Sequence, residues 1–203
     1  LHVDRDNRLW VGTRNGGLDR LDPATGLFEN FRHDPAITNS LSSNSVTSIH
    51  SDGNGIMWVG TYGGGLNRFD PKDGEFTVYR HDAADNTTLS SDRILDIFRD
   101  RAGGLWVGTE DGGLNRFDEA DGTFVRYTHD AADASSLGSN AAWDILESRD
   151  GALWVATMGG GLNHWDTGNR AADRPVFRKA SLASVVSWTW PVSSKRSRSA
   201  SRT

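Results

Sequence analysis

The chain has 203 residues, 36% of them hydrophobic, with 23 glycines and no cysteine; disulfides and thiolate-bound metals are therefore ruled out. Residues 1 to 169 carry 14 Lys and Arg against 26 Asp and Glu, an acidic body that makes nucleic acid a poor partner, whereas residues 170 to 203 carry 8 against 1. No stretch is apolar and long enough to span a bilayer, and no targeting segment is readable, so any membrane attachment is expected only through segments of a longer parent chain.

One phrase recurs at a fixed interval of 48 residues: Leu-Trp-Val-Gly-Thr at 9 to 13 and 105 to 109, Met-Trp-Val-Gly-Thr at 57 to 61, and Leu-Trp-Val-Ala-Thr at 153 to 157. A second follows each: Gly-Gly-Leu-Asp-Arg-Leu-Asp at 16 to 22, Gly-Gly-Leu-Asn-Arg-Phe-Asp at 64 to 70 and 112 to 118, and Gly-Gly-Leu-Asn-His-Trp-Asp at 160 to 166. In the second unit the predicted strands run Ser45 to His50, Ile56 to Thr61, Leu66 to Asp70 and Glu75 to His81. They are separated by Ser51 to Gly55, by the glycines at 63 to 65, and by Pro71-Lys72-Asp73-Gly74. Four short strands per unit is the content of one propeller blade. Helical solenoids of similar period need amphipathic helices that the Gly-Gly dipeptides would break, and the coils of a parallel β-helix are shorter.

The expected architecture is therefore all-β: a β-propeller of four-stranded antiparallel blades with a 48-residue repeat, incomplete at about 3.5 to 4 blades. Blade units fall near 1–34, 41–82, 89–130 and 137–168, with the first and last expected to be incomplete. The period is lost from Pro175, and 170–203 reads as a basic Ser/Arg-rich tail, either disordered or frame-shifted. A faint echo of Ser40-Leu41 at Ser181-Leu182 leaves a degenerate fifth unit open.

The combination Leu-Trp-Val-Gly-Thr-x-x-Gly-Gly-Leu-x-Arg-x-Asp, with Gly-x-Phe-x-x-Tyr at 122 to 127 and Ser-Leu-Ser-Ser-Asn at 40 to 44, resembles the two-component regulator propeller repeat over residues 1 to about 169. The resemblance implies a seven-bladed parent domain in the extracytoplasmic sensor region of a bacterial transmembrane receptor. Such receptors are of the histidine kinase or diguanylate cyclase type and are able to act as homodimers. It further implies a location at the periplasmic or extracellular face, a small-molecule or glycan ligand, and the remaining blades and receptor domains as partners. No cofactor and no catalysis are expected of this stretch. A stand-alone interaction scaffold is the first alternative, and a propeller-fold polysaccharide lyase or glycosidase the second, hinted at only by Glu110, Asp111 and Asp92. Ala156, His164 and Trp165 depart from the phrase, so the fourth unit is the most divergent.

Residues that recur in every unit surround the axis at every step, whereas one ligand touches few blades. Trp10, Trp58, Trp106 and Trp154 are therefore expected in the inter-blade core, and Gly12, Gly60 and Gly108 where a neighbouring backbone comes close. The His33-Asp34, His81-Asp82 and His129-Asp130 pairs lie on different blades, so they are expected to end outer strands and not to bind metal. Asp52-Gly53-Asn54-Gly55 lacks the later oxygens of a calcium loop and reads as a hairpin. Function is expected at equivalent positions that differ. These are Arg14, Tyr62 and Glu110 in the turn between second and third strands, and Trp143, which answers to Thr47 and Leu95 on the innermost strand. Those turns should share a face with the connections between blades.

Overall fold

The computed structural model describes residues 1–52, 55–165 and 176–180, and among these there is no helix: sixteen strands form four sheets of four antiparallel strands each. Blade 1 comprises β1 (His2–Val3), β2 (Leu9–Gly12), β3 (Leu18–Leu21) and β4 (Phe28–Phe31). Blade 2 comprises β5 (Val46–Ser51), β6 (Met57–Thr61), β7 (Gly65–Asp70) and β8 (Glu75–Tyr79). Blade 3 comprises β9 (Ile94–Arg99), β10 (Leu105–Thr109), β11 (Leu114–Asp118) and β12 (Thr123–Tyr127). Blade 4 comprises β13 (Ala142–Glu147), β14 (Leu153–Thr157), β15 (Gly161–Trp165) and β16 (Phe177–Lys179). Within each blade the strands pair in chain order, and β5, β9 and β13 lie side by side as the inner strands.

The apolar phrase packs blade on blade. Between blades 1 and 2 the core joins Trp10 and Leu18 of the first to Met57, Val59, Phe69 and Phe76 of the second. The next junction repeats it, with Trp58 edge-on to Phe117 at 5.1 Å; in the third, Trp106 meets Trp165 at 5.5 Å. Trp165 thus takes the place of a phenylalanine as the same edge-on partner. Third-strand cations lie over two of these tryptophans: Arg20 is 5.4 Å from the Trp10 ring and Arg116 5.8 Å from the Trp106 ring. In blade 4 the third-strand residue is His164, its ring stacked 4.9 Å from Trp154. Trp154 differs from its counterparts in being half-buried.

The glycines of the phrase lie under the next inner strand. A Cβ on Gly12 would meet Val46 at 2.5 Å, one on Gly60 would meet Ile94 at 2.5 Å, and one on Gly108 would meet the carbonyl oxygen of Ala142 at 2.6 Å. This is the close approach that a strand glycine signals.

Connections between blades run inward across the following blade, from the outer strand they leave to the inner strand they enter. The N–H of the first apolar residue in each outer strand donates to the connection: Phe76 to Asn39 O, Phe124 to Thr87 O and Phe177 to Ser135 O. The outer-strand histidines are part of this fixing, since His33, His81 and His129 each bond through Nδ1 to the carbonyls of Leu41, Leu89 and Leu137. Three buried asparagines hold the far end of each connection. Asn67 Oδ1 accepts from Ser42 N, Asn115 Oδ1 from Ser90 N and Asn163 Oδ1 from Gly138 N.

The expected boundary at 169 falls short of the fourth sheet. Strand β16 pairs with β15 through Trp165↔Phe177, so blade 4 has its outer strand. In blade 3, Phe124 sits seven positions after its partner Phe117; in blade 4, Phe177 sits twelve after Trp165. Those five additional residues move the strand off the fixed interval. Blade 1 likewise has four strands, although its first is the two-residue β1. The rest of the expected tail, including the echo at Ser181-Leu182, lies outside the described residues.

Candidate functional site

The turn after each second strand is built by its own threonine and glycines. Thr109 Oγ1 donates to Gly113 O and accepts from Gly112 N, and Gly113 takes φ +81° where a Cβ would run into Tyr127 O, a place closed to any side chain. The turn is then tied to the following connection: Gly17 N donates to Asn44 O, Gly63 N to Asp92 O and Gly113 N to Asn140 O. Turns and connection ends therefore share one face of the array, which presents the varying residues on a fixed frame.

Two of the four candidate residues meet there. The hydroxyl of Tyr62, in the blade 2 turn, donates to Glu110 Oε2 in the blade 3 turn at 2.6 Å, across an interval of 48 residues. Donating that bond raises the phenol's pKa above its ordinary value, mainly because Glu110 holds the proton on the oxygen. Arg93 lies between them, 3.4 Å from Glu110 Oε2 and 2.9 Å from Asp111 Oδ2, and the main chain of Tyr62 bridges that of Arg93. Ser91 donates to Asp111 Oδ1. Of these contacts, the Tyr62 hydroxyl and main chain join blade 2 to blade 3, whereas Arg93, Ser91, Glu110 and Asp111 bind one another within blade 3. Asp92, grouped with Glu110 and Asp111 in the sequence, instead caps the outer strand by accepting from His81 N at 2.7 Å.

The other two candidates stand apart from this pair. Arg14 is exposed on the equivalent turn of blade 1. Trp143 is the extra residue of a β-bulge: Ala142 pairs with Thr157 and Asp144 with Ala156, leaving Trp143 between them. Thr47 and Leu95 occupy the same bulge position in their blades. A bulge re-aims its extra side chain, and Trp143 is 52% exposed. It is the large aromatic that the inner strands offer to solvent.

One residue row went unread in the sequence. Ser48, Asp96 and Asp144 follow the bulges at the same interval, and each of the first two reaches the next blade. Ser48 Oγ accepts from Ile97 N at 3.1 Å and donates to Asp96 Oδ1 at 3.2 Å, and Asp96 Oδ2 accepts from Ile145 N at 2.9 Å. Burial raises the Asp96 pKa, opposed by these bonds. Among the described residues no group of three or more His, Asp and Glu is arranged to hold a metal ion. No helix among them is long and apolar enough to cross a membrane.

Four successive four-stranded sheets, packed through their inner strands and repeated aromatic junctions, make this an arc of a β-propeller. The two component regulator propeller model matches three stretches of the chain, residues 40–63, 88–111 and 136–159. The fold is shared with the extracellular domain of a hybrid two component system from B. thetaiotaomicron, at 22% identity and a TM-score of 0.75 over 89% of this chain and 24% of that one. The extracellular domain of a one component system from the same organism matches at 25% identity and a TM-score of 0.64 over 80% and 20%. Virginiamycin B lyase from Staphylococcus aureus shares the fold at 18% identity and a TM-score of 0.63, over 91% of this chain and 56% of that one. Among curated proteins no relative matches. The chain spans about a quarter or less of the length of the first two solved domains it resembles.

Proposed function

We infer that this chain is a ligand-sensing section of the extracytoplasmic propeller of a bacterial transmembrane signal-transduction receptor, with a histidine kinase or diguanylate cyclase as its output. The observation that carries the reading is the coincidence of the matched repeats with the polar face where Tyr62 of blade 2 meets the Arg93, Glu110 and Asp111 cluster of blade 3. A small molecule or glycan that competes for those hydrogen bonds would alter how blades 2 and 3 are held, with Trp143 as an apolar platform beside the axis. The rest of the propeller and the receptor's own domains would carry that change across the membrane to a dimeric output.

The carboxylates that could have suggested hydrolysis are engaged with Arg93, Ser91, Tyr62 and the main chain, which favours recognition over acid–base work at this face. The test is a transcriptional reporter driven by the parent receptor and its inducer, comparing Tyr62→Phe, Glu110→Gln and Trp143→Ala with the parent sequence. At least one should shift the inducer concentration for half-response tenfold or more, with receptor abundance unchanged. Parental responses from all three would reject this face as the sensor.

A further inference from the structure

We propose that Asp96 makes the inner strands a proton-responsive clasp, through which mild acid tightens the hold of blades 2, 3 and 4 on one another.

The bulges place the clasp. Each of β5, β9 and β13 shifts register once, and Ser48, Asp96 and Asp144 stand where pairing resumes. From there the side chain reaches the next inner strand: Ser48 Oγ accepts from Ile97 N at 3.1 Å, and Asp96 Oδ2 from Ile145 N at 2.9 Å. Asp96 Oδ1 also accepts from Ser48 Oγ at 3.2 Å. Its carboxylate is thus bonded to blade 2 on one side and to blade 4 on the other, so a change in its charge acts on two junctions at once.

The setting disfavours that charge. Asp96 is partly buried, and the residue answering to it in blade 4, whose field acts on it, is a second carboxylate, Asp144. The other charges on the packed inner strands are committed elsewhere. Arg99 of β9 pairs with Glu119, and Glu147 of β13 with Arg101 at 3.1 Å. His50 of β5 is kept neutral by burial first and then by His2 and Arg99. Strands β6 and β10, which also pack on β9, carry no acid or base. Desolvation first, with Asp144 adding to it, raises the Asp96 carboxyl above its ordinary value although the Ile145 and Ile97 amides and the Ser48 hydroxyl pull it down.

The protonated state has a place for its hydrogen. A hydroxyl oxygen accepts two bonds, so Ser48 Oγ can keep Ile97 N and take a second donor from Asp96 Oδ1, while Oδ2 still accepts from Ile145 N. Ser48 is partly exposed, and its own hydrogen turns to water. Every bond between the blades is kept, and the cost of a partly desolvated charge beside Asp144 disappears. Linkage gives the direction: a folded-state pKa above the unfolded one contributes stability that is complete below the unfolded value and is lost as pH rises through the folded value. Acid therefore strengthens the joints at Asp96, opposite to its action at His50. The clasp uses none of the side chains that join Tyr62 to blade 3, so the two are separable by mutation.

The test is an NMR titration of the full chain that follows the Asp96 carboxyl carbon and the Ile145 amide proton together. Both should move with one midpoint above 3.8, the ordinary aspartate value. Asp144→Asn removes the like charge and should lower that midpoint; Ser48→Ala removes a donor to the ionised form and should raise it. An Asp96 midpoint at or below 3.8, an Ile145 amide that ignores the titration, or a midpoint unmoved by Asp144→Asn would overturn the proposal. Urea unfolding of the parent and Asp96→Asn at each pH reads the hold itself. As pH falls from neutral through the Asp96 midpoint, the stability difference should move in the parent's favour, His50 being common to both. A constant difference, or one moving the other way, would show that the carboxylate does not respond to acid in this sense.

Discussion

Replacing Trp106 by alanine should be among the most damaging single changes in the chain. Its indole is 2% exposed, contacts the Trp165 ring at 5.5 Å and the Tyr127 ring at 5.8 Å, and donates from Nε1 to Asp100 Oδ2 at 2.8 Å. Removing a buried tryptophan side chain costs about 3–5 kcal/mol, a large part of the 5–15 kcal/mol that holds an ordinary domain together. Trp106→Phe separates the contributions, since it keeps most of the apolar contact and removes the donor; a hydrogen bond to a charged acceptor accounts for about 1.5–3 kcal/mol. Trp154 supplies an internal control. It occupies the same place in blade 4 but is only partly buried, so Trp154→Ala should cost less than Trp106→Ala. Urea unfolding followed by far-ultraviolet circular dichroism, at one fixed protein concentration, gives all three differences. Equal losses for the two alanine variants, or a loss below about 1.5 kcal/mol for Trp106→Ala, would refute the assignment of the repeated tryptophans to the junctions.

Three further outcomes are expected. His50 is held neutral, its pKa lowered to about 4 by burial first and then by His2 and Arg99, against a weaker pull from Asp52. The unfolded chain therefore takes up a proton that the native ring refuses, and this contribution to stability is present above about 6.5 and is lost as pH falls toward 4. The melting midpoint of His50→Gln should fall less steeply across that window, and parallel profiles would contradict the assignment. All three tyrosines should ionise late in an absorbance titration, Tyr79 and Tyr127 because partial burial disfavours the phenolate and Tyr62 because of Glu110. Glu110→Gln should bring only the Tyr62 transition down. Gly108→Ala would drive a methyl against Ala142 O and should cost about 1–3 kcal/mol in urea unfolding; a neutral effect would mean that blades 3 and 4 are held less closely than 2.6 Å implies.

The period alone disclosed the blades, because a strictly repeated phrase places each tryptophan and glycine in the same environment. It failed where spacing changed: Phe177 is an outer-strand residue displaced by five positions, and only its pairing with Trp165 discloses this. Asn67, Asn115 and Asn163 stood in the second phrase as visibly as the glycines did. Their role could not be read there, since each bonds to a segment 25 residues earlier in the chain. The same reason hides the face around Tyr62. Its partners Arg93 and Glu110 lie 31 and 48 positions away, and only the stacking of one blade on the next brings them together. Trp143 was singled out as unlike its equivalents, but that it is re-aimed by a bulge depends on pairing of β13 with β14.

The displaced outer strand of blade 4 also says where this architecture tolerates new sequence. Its hairpin carries five additional residues, yet Phe177 still pairs with Trp165 and donates to Ser135 O, as Phe124 pairs with Phe117 and donates to Thr87 O. Two anchors, one in the sheet and one in the incoming connection, fix the fourth strand independently of the loop that leads to it. In the described blades the link between third and fourth strands lies at the strand ends away from the turns that carry Tyr62 and Glu110, which makes it a natural port for grafted peptides or labels.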